Sequence, residues 1–114
     1  MKLKDNQWVS IGNVCIAIRA INPFLSGKLN RILPIVISKT QTLREQFDAE
    51  IKEEMEKAKN PEPDSEQGLA INVAISDSFS KGESDFDIPE LKAEWFDDVK
   101  FMQGHYEFLT PILK

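Results

Sequence analysis

Apolar residues near the beginning of the chain recur at steps of three and four, the spacing that places side chains on one face of a helix. These positions are Trp8, Ile11, Val14, Cys15, Ile18 and Ile21. Asp5 is a candidate N-cap for this helix, which we expect over residues 7–21, after a short strand or an extended arm at 1–4. Asn22 precedes a proline and therefore ends the helix, because such a residue avoids the helical conformation.

A second, longer helix is predicted from a candidate N-cap at Ser26 to about Ala58. Its apolar stripe contains Leu29, Ile32, Leu33, Val36, Thr40, Leu43, Phe47, Ile51 and Met55. Pro34 either kinks this helix or marks its first position. A helix over 28–58 would be about 46 Å long, whereas a domain of this size has a radius of gyration of about 13 Å. Part of the helix must therefore project, pair with a partner chain or break at Pro34.

The periodicity changes after an acidic, proline-containing loop at 59–68. Every second residue is then apolar, which predicts a strand over 69–75. A loop over 76–84 and an edge strand over 86–91, which contains Pro89, are expected next. A short helix over 106–113 follows near the end of the chain.

This order of elements predicts an α+β domain. It consists of an N-terminal helical hairpin with a long second helix, a small antiparallel sheet and a short C-terminal helix. All 114 residues are expected to form one domain, because domains most often contain about 100–150 residues. The helical part covers 5–58, the acidic loop 59–68 and the β-containing part 69–114.

The net charge of −5 is unevenly distributed along the chain. Residues 1–40 contain six cations and one acid, whereas residues 41–114 contain eight cations and eighteen acids, so the two parts have net charges of +5 and −10. The acidic part repels phosphate, so nucleic-acid binding is not expected. The longest uncharged stretch, 6–18, is too short to span a membrane and does not resemble a signal peptide. We therefore expect a cytoplasmic protein without membrane contact.

Few residues offer chemistry for catalysis or metal binding. One cysteine and one histidine exclude a structural zinc site of the Cys/His type. The five glycines are dispersed and form no phosphate-binding motif, so no cofactor and no metal are expected. Cys15 and His105 could form a thiolate–imidazole pair, but Cys15 falls on the apolar helix face, which favours a core position. We expect a protein that is not an enzyme, with a small enzyme that uses Cys15 and His105 as one alternative.

The remaining candidate residues are suited to a protein interface. Trp95 and Phe96 are adjacent, so one of them is expected to reach the surface, where aromatic side chains anchor protein contacts. Carboxylates on the outer face of the second helix and near the expected edge strand add Glu50, Glu53, Glu54, Asp85 and Asp87. The two aspartates can equally be solvated charges that protect a sheet edge from aggregation.

Four segments together suggest a family resemblance. MKLKDN at 1–6, GKLNRI at 27–32 and KTQTLREQF at 39–47 belong to a lysine-rich opening followed by two helices, and FDIPEL at 86–91 precedes a short C-terminal helix. In this arrangement the chain resembles a group of small uncharacterised proteins of tailed bacteriophages and prophages. The resemblance implies a phage-encoded accessory protein in the cytoplasm of a bacterial host, and it implies no active-site residues.

Two functions follow as expectations. The first is an accessory protein that binds a protein of the host or of the phage, or that associates with itself, for example as a homodimer through 28–58. The second is an acidic inhibitor of a host nuclease or defence protein, in which carboxylates replace the phosphates of a nucleic acid.

Overall fold

A helical hairpin forms the centre of the computed structural model, which describes residues 1–114. Helix α1 (Asp5–Ile21) and helix α2 (Gly27–Lys57) pack side by side along one apolar seam. The seam contains the positions that the spacing predicts: Trp8, Ile11, Val14, Cys15, Ile18, Leu29, Leu33 and Val36. The predicted N-terminal hairpin is therefore confirmed.

Helix α2 spans the full length of the molecule. It begins with the predicted cap, because the Ser26 hydroxyl accepts a hydrogen bond from the backbone N–H of Leu29 at 3.3 Å. Pro34 lies inside the helix, seven residues after its beginning, so the proline neither starts the helix nor ends it. Thirty-one residues correspond to about 46 Å, which matches the longest dimension of the protein, 44 Å.

The prediction of a strand over 69–75 is wrong, because these residues belong to helix α3 (Glu66–Phe79). The Ser65 hydroxyl caps this helix by accepting from the N–H of Gly68 at 3.1 Å. Helix α3 covers the second half of α2, where the rings of Phe47 and Phe79 meet edge to face at 5.2 Å. The part of α2 that was expected to project or to need a partner is thus covered by the same chain.

The small antiparallel sheet is present, but only one of its strands lies where the sequence places it. Strand β1 (Lys2–Lys4) pairs with β2 (Glu83–Asp85), in the segment predicted as a loop. No strand forms over 86–91, apart from a single bridge between Leu91 and Leu113. Asp5 is the first residue of α1 rather than its cap, and its carboxylate accepts from the Ser84 hydroxyl at 2.6 Å.

The C-terminal segment 86–114 closes the core of the hairpin from one side. It contains a 3₁₀ helix (Ala93–Phe96), the predicted short helix α4 (His105–Leu109) and a terminal 3₁₀ turn (Thr110–Ile112). Four of its side chains are buried against α1 and α2: Leu91, Phe96, Leu109 and Ile112. Four helices and a two-stranded antiparallel sheet confirm the α+β class. None of the helices is both long and apolar enough to cross a membrane.

Candidate interaction surfaces

The turn between α1 and α2, residues 22–26, is anchored by the side chain of Asn22. Its Nδ2 group donates to the carbonyl oxygens of Ile18 and Lys100, both at 2.9 Å. Its Oδ1 atom accepts from the backbone N–H of Lys100 at 2.8 Å. These bonds tie the turn to the C-terminal segment, so the exposed side chains of the turn are presented on a fixed support.

Phe24 lies in this turn and is 96% exposed, more than any other large apolar side chain. It stands at a cleft of about 330 Å³, which we call the aromatic cleft. The cleft is lined by Asn22, Phe24, Leu25, Ser26, Leu29, Trp95, Asp98 and Val99. A phenylalanine this exposed contributes almost no burial to the folded monomer, so its apolar surface is available to anchor a partner.

Trp95 and Phe96 point in different directions. Phe96 is only 3% exposed and lies in the core, where its ring centroid is 5.9 Å from that of Phe101. Trp95 is half-buried and lines the aromatic cleft, and the Nζ atom of Lys28 lies 5.0 Å from its ring centroid. Of the two aromatic candidates, Trp95 can therefore contact a partner, whereas Phe96 is buried in the core.

The carboxylates of α2 lie on its solvent side. Glu50 and Glu53 are exposed, and Glu54 is half-buried. Lys57 Nζ lies 3.2 Å from Glu53 and 3.3 Å from Glu54, and hydrogen bonds to Glu53 and to Glu54 raise the pKa of Lys57. Such exposed ion pairs stabilise a protein little, but they neutralise part of the acidic surface.

Asp85 and Asp87 lie at the strand pair. Asp85 ends β2, and its carboxylate is 2.9 Å from the backbone nitrogen of Met1. Asp87 is exposed just beyond the strand. Because β1 and β2 form a sheet of only two strands, charges at its margins oppose pairing with another sheet. No group of three or more His, Cys, Asp or Glu side chains is arranged to hold a metal ion.

Cys15 is fully buried on the apolar face of α1. Burial raises the pKa of its thiol to about 12, although the positive charge of Arg44 lowers it. The thiol is protonated at neutral pH and inaccessible, so it lacks the exposure and the thiolate character of a nucleophile. His105, the other member of the hypothetical pair, has a buried Nδ1 atom without a hydrogen-bond partner, and its ring lies 6.4 Å from that of Phe108.

The raised pKa of Cys15 predicts a loss of stability at alkaline pH. Above about pH 9 the unfolded chain releases the thiol proton, while the folded chain retains it up to about pH 12. Stability should therefore fall by about 1.4 kcal/mol per pH unit from this group. Urea unfolding of the wild type and of Cys15→Ala at about pH 8 and about pH 10 measures this loss of stability with rising pH. The wild type should lose more stability than the variant, and equal losses would contradict the burial of the thiol.

The sequence pattern does not identify Phe24 as an interface residue. The available signal is its position directly after Asn22-Pro23, where the first helix stops. A large apolar residue at such a point belongs to no helix face, so periodicity assigns it no partner. Its neighbour across the cleft, Trp95, is 71 residues away along the chain, a proximity that only the folded structure reveals.

No protein-family model matches the chain, and no curated protein or solved structure matches it. Function is therefore inferred from the surfaces of this chain itself.

Proposed function

We propose that the protein is a non-enzymatic accessory protein of bacteriophage type, which acts in the cytoplasm of a bacterial host by binding a protein partner. The observation that carries this proposal is the aromatic cleft, with Phe24 exposed at its rim and Trp95 in its wall. The phage-type role is proposed from the resemblance of the pattern in segments 1–6, 27–32, 39–47 and 86–91 to small phage proteins.

The aromatic cleft offers apolar surface that a partner can bury, and it holds this surface in a conformation that is fixed before binding. Burying the exposed ring of Phe24 would contribute roughly 1.5–3 kcal/mol to binding. Because Asn22 already fixes the turn at both sides, little conformational entropy is lost when a partner binds. Lys28 and Asp98, of opposite charge, border the apolar surface and can orient the partner.

Replacing Phe24 with serine should weaken partner binding roughly tenfold to a hundredfold without changing stability, because the ring is almost entirely exposed. Met102→Ser is the matched control, since Met102 is 53% exposed and does not line the cleft. Tagged wild type and both variants serve as baits in lysates of phage-infected bacteria, with mass spectrometry of the bound proteins. A partner retained by the wild type and by Met102→Ser but lost by Phe24→Ser supports the proposal. Identical sets of bound proteins for all three baits would contradict it.

The second candidate is an acidic inhibitor of a host nuclease or defence protein, and it is favoured by the charge of residues 45–77. This region contains ten acids and three cations, a net charge of −7, and includes Glu50, Glu53 and Glu54. In the same capture experiment, the inhibitor hypothesis requires a partner that high salt releases and that Phe24→Ser retains. A partner that resists high salt excludes phosphate mimicry.

Self-association through 28–58 is part of the proposed interaction function. The outward face of α2 is mostly polar, and its one exposed large apolar side chain is Ile35, at 39%. A symmetric contact between two α2 helices along this face would therefore bury little apolar surface. Apolar surface suited to self-association lies instead beside α2.

A further inference from the structure

A shallow groove runs between α1 and α2 on a side that the C-terminal segment does not line. Its volume is about 410 Å³, and it is lined by Ile16, Arg19, Ala20 and Ile37. Ile16 is 41% exposed and Ala20 is also exposed, so the apolar floor is open to solvent. We call this surface the α1–α2 groove.

Arg44 lies beside the groove with unused hydrogen-bonding capacity. Its Nη2 atom donates to the carbonyl oxygen of Ile37 at 2.8 Å, and its Nε atom donates to the Thr40 hydroxyl at 3.2 Å. A guanidinium has five N–H donors, so three of those of Arg44 are without a protein acceptor. Neither Arg44 nor Arg19 lies within 4.0 Å of a carboxylate.

The segment that forms the groove is positively charged, and none of its cations forms an ion pair within 4.0 Å. Residues 13–44, which form most of α1 and the first half of α2, contain five cations and no acid. An apolar floor between two unpaired arginines is complementary to an apolar ridge that carries carboxylates.

The outer face of α3 is such a ridge, and we call it the α3 stripe. Leu69 and Val73 are 55% and 60% exposed at its centre. Glu66 and Asp77 are exposed at its ends, on the same helix face by their spacing and about 16 Å apart along the axis. The groove has comparable dimensions. Arg44 lies against Gly12, which is seven residues, or about 10 Å along α1, from Arg19. Both arginine side chains extend beyond these two positions.

We infer that the α1–α2 groove of one copy binds the α3 stripe of a second copy, head to tail. The two surfaces belong to oppositely charged parts of the chain, net +5 over 13–44 and −7 over 45–77. The long helix α2 separates these parts along the 44 Å axis. After one such contact, one copy keeps a free stripe and the other keeps a free groove, so further copies can add and the contact generates a ring or an open chain. This association does not involve Phe24 or the aromatic cleft.

Complementation between two variants tests the arrangement. Arg19→Glu places a carboxylate in the groove but leaves the α3 stripe intact. The double variant Glu66→Lys with Asp77→Lys reverses the stripe but leaves the groove intact. Each variant alone should associate at least about tenfold more weakly than the wild type, because like charges then face each other. Mixed in equal amounts, the two should associate again, because the intact groove of one variant can bind the intact stripe of the other.

Light scattering coupled to size-exclusion chromatography, at high micromolar concentration, measures these masses. The wild type should exceed the monomer mass at low salt and return towards it at high salt, and the exposed-charge control Glu90→Lys should behave like the wild type. Leu69→Ser with Val73→Ser should be monomeric while retaining the wild-type circular dichroism spectrum, because both side chains are more than half exposed. A monomeric wild type at low salt, or a variant mixture that stays monomeric, would overturn the inference. The Phe24→Ser variant should associate normally, so failure here leaves the proposed partner binding standing.

Discussion

Replacing Trp8 with alanine is expected to lower the free energy of unfolding by about 4 kcal/mol. The indole is completely buried at the centre of the core, and its ring meets the edge of Phe86 at 5.0 Å. Its Nε1 group donates to the carbonyl oxygen of Ser84 at 2.8 Å and so connects α1 to β2. The truncation leaves a cavity and removes the hydrogen bond to Ser84, and the loss is a large part of the roughly 5–15 kcal/mol that a domain possesses.

Urea unfolding followed by circular dichroism measures this loss. Trp95→Ala is the matched control, because it makes the same truncation at a half-buried ring in the wall of the aromatic cleft, and its cost should be clearly smaller. Trp8→Phe should fall between the wild type and Trp8→Ala, since it retains most of the apolar contact but not the hydrogen bond. A loss below about 1 kcal/mol for Trp8→Ala would mean that the indole does not organise the core.

Replacing Gly12 with alanine is expected to destabilise the protein by about 2 kcal/mol, although alanine is the better helix former. Gly12 lies where α1 approaches α2, and an added Cβ atom would collide with the Thr40 hydroxyl and come within 2.8 Å of Arg44 Cδ. Thr40 is itself fully buried and donates to the carbonyl oxygen of Val36 at 3.0 Å, so it cannot move freely. The helices must separate or Arg44 must leave its position.

Gly27→Ala provides the comparison within the same hairpin. A Cβ atom at Gly27 meets only the mobile end of the Arg31 side chain, at 3.3 Å, so this change should be neutral or slightly stabilising. Thermal unfolding of the two variants side by side measures the difference. Equal melting temperatures would show that the helices tolerate a wider separation at Gly12. Self-association should also weaken in Gly12→Ala, because Arg44 borders the α1–α2 groove.

The hairpin was predictable because its local signals agree with its packing. The three- and four-residue spacing of Trp8, Ile11 and Ile18 identifies the buried face of α1, and Ser26 marks the beginning of α2. Pro34 stayed ambiguous, since a proline inside a helix removes one hydrogen bond and packing elsewhere decides whether the helix continues. Here Leu33 and Val36 on either side are completely buried, and the helix continues.

Helix α3 was mistaken for a strand because it is apolar on two faces. Ile71 and Ile75 are half-buried, on the side of Phe79, which contacts α2, whereas Leu69 and Val73 are exposed, so the two sets together imitate a period of two. The overlooked signals were the cap at Ser65 and the helical spacing of Ile71, Ile75 and Phe79. The exposed apolar residues that misled the prediction are those of the α3 stripe.

The second strand and the candidate surfaces depend on contacts between distant parts of the chain. β2 has the sequence Glu-Ser-Asp, which has low strand propensity, and it pairs because Lys2 and Leu3 lie opposite Asp85 and Ser84. The aromatic cleft joins Phe24 to Trp95, and the α1–α2 groove joins Ile16 to Ile37. The sequence identified Trp95 as a candidate, but the direction of its ring depends on the burial of Phe96 next to it.

The connection 58–65 divides the chain but not its core. Residues between Trp8 and Val36 contribute eight of the twelve core side chains, and residues between Leu91 and Ile112 contribute four. Neither part can therefore bury its apolar surface by itself. A break in this loop would not release an autonomous helical hairpin, and the two fragments would remain folded only while bound to each other.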